Sequence, residues 1–84
     1  MKIPISLDLL CPGMTARIVS LHHEPAMTRR LADIGFATDE LVEPLFHSAA
    51  GDPTAYWIRG TVVALRQSDA RRIIVIPESE DTPP

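Results

Sequence analysis

The sequence has few of the features that mark secreted or membrane-spanning proteins. Cys11 is the only cysteine among 84 residues, so no internal disulfide can form, as is usual in a reducing cytoplasm. The longest apolar runs, Val62–Leu65 and Ile73–Pro77, are far shorter than the ~20 residues that a transmembrane helix needs. The first residues lack the charged start and long apolar stretch of a signal peptide. We therefore expect a cytoplasmic protein.

Motifs for catalysis are also missing. The four glycines stand singly at turn positions, so the chain has no glycine-rich phosphate loop. Cys11 lies beside a Pro-Gly turn and has no histidine arranged with it as a base. A chain of this length buries only about 60–65% of its unfolded surface, which leaves a thin core and little room for an enclosed active site. We predict a non-enzymatic protein that requires no cofactor.

The sequence has fewer basic than acidic residues. Eight Lys and Arg residues face eleven Asp and Glu residues, for a formal net charge of −3. A nucleic-acid partner would favour a basic surface, so this balance argues against one. Part of the acidity lies in residues 78–84, which are polar and end in prolines. We expect a single domain over residues 1–77 and a flexible acidic tail over 78–84.

One segment has helical periodicity. Met27, Leu31 and Ile34 recur at a spacing of four and then three, which places them on one face of a helix. Pro25 suits the first helical position, and Gly35 suits the residue just past the end. The pattern predicts a helix from Pro25 to Ile34.

The other apolar segments are typical of β-strands. Pro44 indicates an edge or a bulge, and Gly60–Thr61 indicates a tight turn. Five strands with one helix between the first two predict a mainly β fold, a small barrel filled by side chains. The predicted strands are Thr15–Leu21, Leu41–Phe46, Ala55–Arg59, Val62–Arg66 and Ile73–Ile76. The predicted core is Ile18, Met27, Leu31, Ile34, Leu65, Ala70, Ile73 and Val75.

A cluster of metal-ligand residue types lies at His22, His23 and Glu24. Imidazole and carboxylate groups suit zinc or ferrous iron. Adjacent residues on an extended segment point to opposite sides, so a site would need a further ligand from His47, from Asp52 or from a second molecule. We expect at most adventitious or intermolecular binding of Zn or Fe(II), and a solvated loop is the simpler interpretation.

Several segments resemble the FeoA family, in the same order as in that family. They are Met27–Gly35 (MTRRLADIG), Gly51–Pro53 (GDP) with Trp57–Gly60 (WIRG), Val63–Ala70 (VALRQSDA) and Ile73–Val75 (IIV), and Leu10, Gly13, Arg17 and Ile18 match the opening of the family pattern. The turn after Phe36 is commonly Thr-Pro-Gly in the family and is Ala-Thr-Asp over residues 37–39 here. The resemblance covers nearly the whole chain.

The resemblance implies an SH3-like barrel and a cytoplasmic accessory role in ferrous iron transport. The implied partner is FeoB, a transporter with a cytoplasmic GTP-binding domain and a membrane domain, whose GTPase or transport activity the chain would modulate. Contact with the membrane would be indirect, through FeoB. On this basis we predict a docking surface made of Arg29, Arg30, Phe36 and Trp57, with the aromatic rings as buried anchors and the arginines at the rim.

Two other functions stay open. Similar barrels occur as C-terminal modules of metal-dependent repressors, so a regulatory module is an alternative. A transition-metal-binding protein is another, and it depends on the histidine pair. A weak homodimer is compatible with each of these functions.

Overall fold

The computed structural model describes residues 3–78, which form a six-stranded antiparallel sheet with two helices. The strands are β1 (Ile5–Ser6), β2 (Ala16–Leu21), β3 (Leu41–His47), β4 (Thr54–Ile58), β5 (Thr61–Leu65) and β6 (Ile73–Pro77). The helices are α1 (Pro25–Asp33) and the one-turn α2 (Gln67–Ala70), and Leu7–Leu9 form a 3-10 turn. The strands lie in the order β1-β6-β2-β3-β4-β5.

The predicted mainly β fold is confirmed, with one more strand than expected. The additional strand β1 has only two residues, too few to show an alternating pattern, and it pairs with β6. As a result α1 follows the second strand and not the first. The sheet does not close into the predicted barrel: β1 and β5 are its edges in the described chain, and no pairing joins them.

Helix α1 begins at Pro25 as predicted and ends at Asp33, one residue earlier than predicted. Pro25 is the first helical residue, and Gly35 takes the left-handed conformation with φ +119°. The Gly35 N–H donates to the Ala32 carbonyl at 3.1 Å, and the Phe36 N–H donates to the Leu31 carbonyl at 2.8 Å. This pair of bonds is the Schellman motif, which satisfies the last carbonyls of a helix and turns the chain back.

Six of the eight predicted core residues are buried in one cluster: Ile18, Leu31, Leu65, Ala70, Ile73 and Val75. Met27 is partly buried and packs against that cluster. The prediction was wrong for Ile34, whose side chain is 45% exposed. Ile34 is the C-cap, with φ −95° and ψ 2°, so it has left the helical backbone and no longer shares the buried face of α1.

The β4–β5 hairpin turns at Arg59–Gly60, one residue earlier than expected. Both turn residues have positive φ, 49° and 78°, as in a type I′ turn, and Ile58 pairs with Thr61. A Cβ added to Gly35 would lie 3.3 Å from Cγ and Cδ of Arg59. The hairpin turn therefore packs directly against the C-terminal end of α1.

Two other backbone features fit their sequence. The pairing of β3 with β4 shifts register between Pro44 and Phe46, which agrees with the bulge, one of the two possibilities predicted for Pro44. Asp39 has φ 75° in the turn where the family commonly has glycine, and aspartate is among the few other residue types that enter this region readily.

The end of the described chain is held in place. Glu78 lies in the predicted flexible tail, but its N–H donates to the Thr15 carbonyl at 2.9 Å and its carboxylate accepts from Arg17 Nε at 3.3 Å. The predicted tail otherwise lies outside the described residues.

Candidate docking groove

An open groove runs between α1 and the segment formed by β5 and α2. Its volume is about 520 Å³. It is lined by Met27, Arg30, Leu31 and Ile34 of α1, and by Val63, Ala64, Leu65, Arg66 and Asp69 on the opposite side. The groove therefore has an apolar floor and charged side chains along its rim.

A second depression of about 490 Å³ adjoins the first. It shares Met27, Arg30 and Asp69 with it, and His23, Glu24, Ala26 and Arg72 complete its lining. We refer to the two together as the α1 groove. The shared side chains make it one continuous surface along the helix.

The charged side chains of the α1 groove are mostly cationic. Three arginines line it, Arg30, Arg66 and Arg72, against two carboxylates, Glu24 and Asp69. The only salt bridge in residues 3–78 joins Arg17 to Glu78, so no groove arginine has a carboxylate partner within that range. A chain with net charge −3 thus presents a locally positive groove.

The side chains of His22 and His23 point in different directions and contact different groups. His23 Nε2 lies 3.0 Å from the Asp69 carbonyl oxygen, which can only accept, so Nε2 carries the proton. His22 Nε2 instead lies 3.0 Å from Ser20 Oγ, on the exposed side of the chain. Residues 3–78 contain no group of three or more His, Cys, Asp or Glu side chains placed to hold a metal ion.

The outer face beside β5 is apolar and exposed. Trp57 of β4 pairs directly with Val62 of β5, and their side chains are 45% and 53% exposed. Directly opposed residues of an antiparallel pair share one face of the sheet, so the two side chains form a continuous patch. Val63 and Leu65 alternate with Val62 along β5, and both line the groove on the opposite face. Ala64, which shares the face of Val62, also borders the groove, so the edge of β5 lies between the patch and the α1 groove.

Phe36 cannot be part of a docking surface, and that prediction was wrong. The side chain is fully buried in the core cluster, edge-on to Tyr56 with ring centroids 6.2 Å apart. It follows Gly35 in the Schellman motif, where an apolar residue commonly packs back on the last helical turn. Applied to the sequence, that rule would have assigned Phe36 to the core.

Tyr56 is 2% exposed and faces the interior. Burial, reinforced by the nearby Asp8 carboxylate, raises the pKa of Tyr56 to about 12. The phenol is therefore neutral at physiological pH, and it acts as a packing residue.

The structure separates the remaining predicted site residues. Arg30 lines the α1 groove, Arg29 does not, and Trp57 lies on the outer face beyond β5. Val63, Ala64 and Asp69 also line the groove, although no pattern in the sequence marks them as site residues. They become neighbours of Arg30 only when α1 packs beside the hairpin, and no local pattern signals that contact.

Residues 3–78 form a small β domain whose candidate functional features are surfaces. The model of the FeoA domain matches residues 5–77, and the chain belongs to the FeoA family, whose members are accessory proteins of ferrous iron transport. No curated protein matches the chain. In residues 3–78, no helix is long and apolar enough to cross a membrane.

Solved structures agree with this assignment. The FeoA protein from Chlorobium tepidum superposes with a TM-score of 0.86 at 29% identity, over 93% of this chain and 74% of that one. FeoA from Stenotrophomonas maltophilia is 30% identical over 89% of this chain and 88% of that one, with a TM-score of 0.71. That protein was crystallised with zinc and described as an SH3 domain protein, with a suggested role as a ferrous iron transport activating factor. The predicted SH3-like fold is confirmed.

A manganese-dependent transcriptional repressor shares the fold. Its TM-score is 0.78 at 22% identity, and the match covers 92% of this chain but 43% of the repressor. This likeness concerns the fold alone.

Proposed function

We propose that this chain is a non-enzymatic, cytoplasmic accessory protein of ferrous iron uptake that docks on the FeoB transporter. The observation that carries the proposal is the α1 groove, an open and locally positive surface on a FeoA-family fold. The exposed Trp57 beside it supplies an aromatic anchor of the kind that dominates protein interfaces.

The arrangement suits binding better than chemistry. The core of this domain is filled by side chains, and the groove is a surface feature with an apolar floor. Arginines without carboxylate partners can orient an approaching acidic surface and accelerate the encounter. Docking that favours one state of the transporter would then change its GTPase or transport activity, provided that the contacts differ between states.

The direct test is binding of the full-length chain to purified FeoB and to its isolated cytoplasmic domain. We expect saturable association that weakens as salt rises, together with a change in GTP hydrolysis or in iron uptake by reconstituted FeoB. If the chain binds neither purified FeoB nor its isolated cytoplasmic domain, the proposal is refuted.

Metal binding is a second candidate, favoured by the zinc in the S. maltophilia structure. His22 is exposed on this chain and could contribute to a site shared between two molecules. We expect weak zinc binding that His22→Ala removes and a fold that needs no metal, so circular dichroism should not change with a chelator. Loss of structure on chelation would instead show that metal holds the fold together.

A further inference from the structure

We propose that the exposed edge of β5 binds an extended, acidic segment of a partner protein as an additional strand. This inference rests on the proposed docking function and names its mode: strand addition to a sheet edge, beside the α1 groove. Main-chain hydrogen bonds would supply affinity, and side-chain contacts on the two faces of the added strand would supply selectivity.

Alternate backbone groups of β5 point away from β4. Ile58 and Thr61 close a two-residue type I′ turn, so they form a hydrogen-bonded pair. Bonded and non-bonded pairs alternate in an antiparallel ladder. Val62 and Ala64 therefore fall at the non-bonded positions opposite β4, and their N–H and C=O groups point away from it. These four groups have no other partner among the described residues.

The edge of β5 lacks the features that usually protect an edge strand from pairing. Edge strands of natural proteins are usually kept from pairing by lysine, proline, a bulge or very short length. Strand β1, at the opposite edge, has two residues. Strand β5 has five residues, Thr-Val-Val-Ala-Leu, with no charge and no proline, and its pairing with β4 shows no bulge. Such an edge in an otherwise ordinary fold indicates a place for a partner strand.

Both faces of the β5 edge offer surface for the side chains of an added strand. A strand added to β5 would direct alternate side chains into the α1 groove, over Met27 and Val63. The other side chains would lie on the outer face beside Val62 and Trp57. The α1 groove and the patch formed by Trp57 and Val62, which lie on the two sides of β5, would thus belong to one interface.

The charge of the groove favours an acidic segment as the added strand. Arg30 and Arg66 line the part of the groove beside β5, facing one carboxylate, Asp69. Neither arginine forms a salt bridge within residues 3–78. An inserted segment with alternating apolar and acidic side chains would cover the apolar floor and pair with both guanidinium groups. A basic segment would leave them facing like charge.

The decisive variant is Ala64→Pro in the full-length chain. It removes an N–H that the β4–β5 ladder does not use, and proline is tolerated at such edge positions. We expect circular dichroism and the melting temperature to stay close to wild type, while affinity for FeoB falls about tenfold or more. Hydrogen exchange on the wild-type chain is the second measurement, because the Val62 and Ala64 amides should become protected when FeoB binds, whether or not the variant folds.

A peptide probe separates this inference from the proposed function. A synthetic peptide that alternates valine and glutamate should protect the same two amides, and one that alternates valine and lysine should not. If FeoB binds wild type and Ala64→Pro equally and leaves both amides unprotected, the strand-addition mode is refuted while docking stands. If FeoB fails to bind but the acidic peptide protects both amides, the mode stands and the partner is wrong. Protection that depends only on protein concentration would show that a second copy of the chain occupies the edge, which also overturns the proposal.

Discussion

Arg29 and Arg30 are adjacent on α1, yet only Arg30 lines the α1 groove. Both side chains are exposed, both carry one positive charge, and neither forms a salt bridge within residues 3–78. The two residues therefore form a matched pair, in which position relative to the groove is the main difference.

Reversal of charge at Arg30 should weaken docking more than the same reversal at Arg29. For Arg30→Glu we expect slower association with FeoB and a roughly tenfold loss of affinity at low salt, less at high salt because screening shortens the range of the field. Arg29→Glu should cost about threefold or less, through the general change in net charge. Surface plasmon resonance at two salt concentrations measures both, and equal effects of the two variants would exclude the groove as the contact.

Trp57→Ala should act on the lifetime of the complex. Its ring is about half exposed on the outer face, so its loss should leave the fold intact while removing an aromatic anchor. We expect dissociation from FeoB to be about tenfold faster, with association little changed. An unchanged dissociation rate in a folded variant would place the interface elsewhere.

Leu31→Ala and Ile34→Ala should differ sharply in stability. Leu31 is buried in the core cluster, and its truncation should lower the free energy of unfolding by about 2–5 kcal/mol. Ile34 is the exposed C-cap, and its truncation should cost about 1 kcal/mol or less. Urea denaturation of both variants gives the comparison; similar midpoints would contradict the assignment of the two side chains.

Stability should fall at alkaline pH because of Tyr56. Its pKa rises from the usual value near 10 to about 12 on folding, so the folded state favours the neutral phenol. This contribution is fully present below pH 10 and is lost as the pH rises through about 12, up to roughly 2–3 kcal/mol. Tyr56 is the only tyrosine, so tyrosinate absorbance reports it alone. Tyr56→Phe should remove this part of the pH dependence, and a titration near 10 in the folded chain would contradict it.

Local signals in the sequence were sufficient for α1. The start at Pro25 follows from the chemistry of its missing N–H, and the end follows from the need for positive φ at Gly35. Helical periodicity alone placed Ile34 on the buried face, but the backbone leaves the helix at that residue and its side chain is exposed. Strand β1 was missed since its two residues are held by pairing with β6 and not by any pattern of their own.

The candidate site was only partly predictable. Arg30 and Trp57 could be named because charged and aromatic residues on a helix and a strand are natural docking groups. That they lie on opposite sides of one strand depends on the type I′ turn at Arg59–Gly60 and on its packing against Gly35. The open edge of β5 likewise follows from strand order, a property of the whole sheet that no segment encodes by itself.

The position of β6 in the sheet also constrains folding of the chain during its synthesis. In the sheet it lies between β1 and β2, although it is the last described strand to be synthesised. Until β6 emerges from the ribosome, β1 has no partner and one edge of β2 stays open. On that edge, Ile18 and Leu21 lack their later partners Val75 and Ile73. The domain therefore cannot complete its sheet during synthesis of its first seventy residues. Completion of the sheet must wait for the late strand, and a nascent chain paused before β6 exposes an open edge of β2 that other strands can pair with.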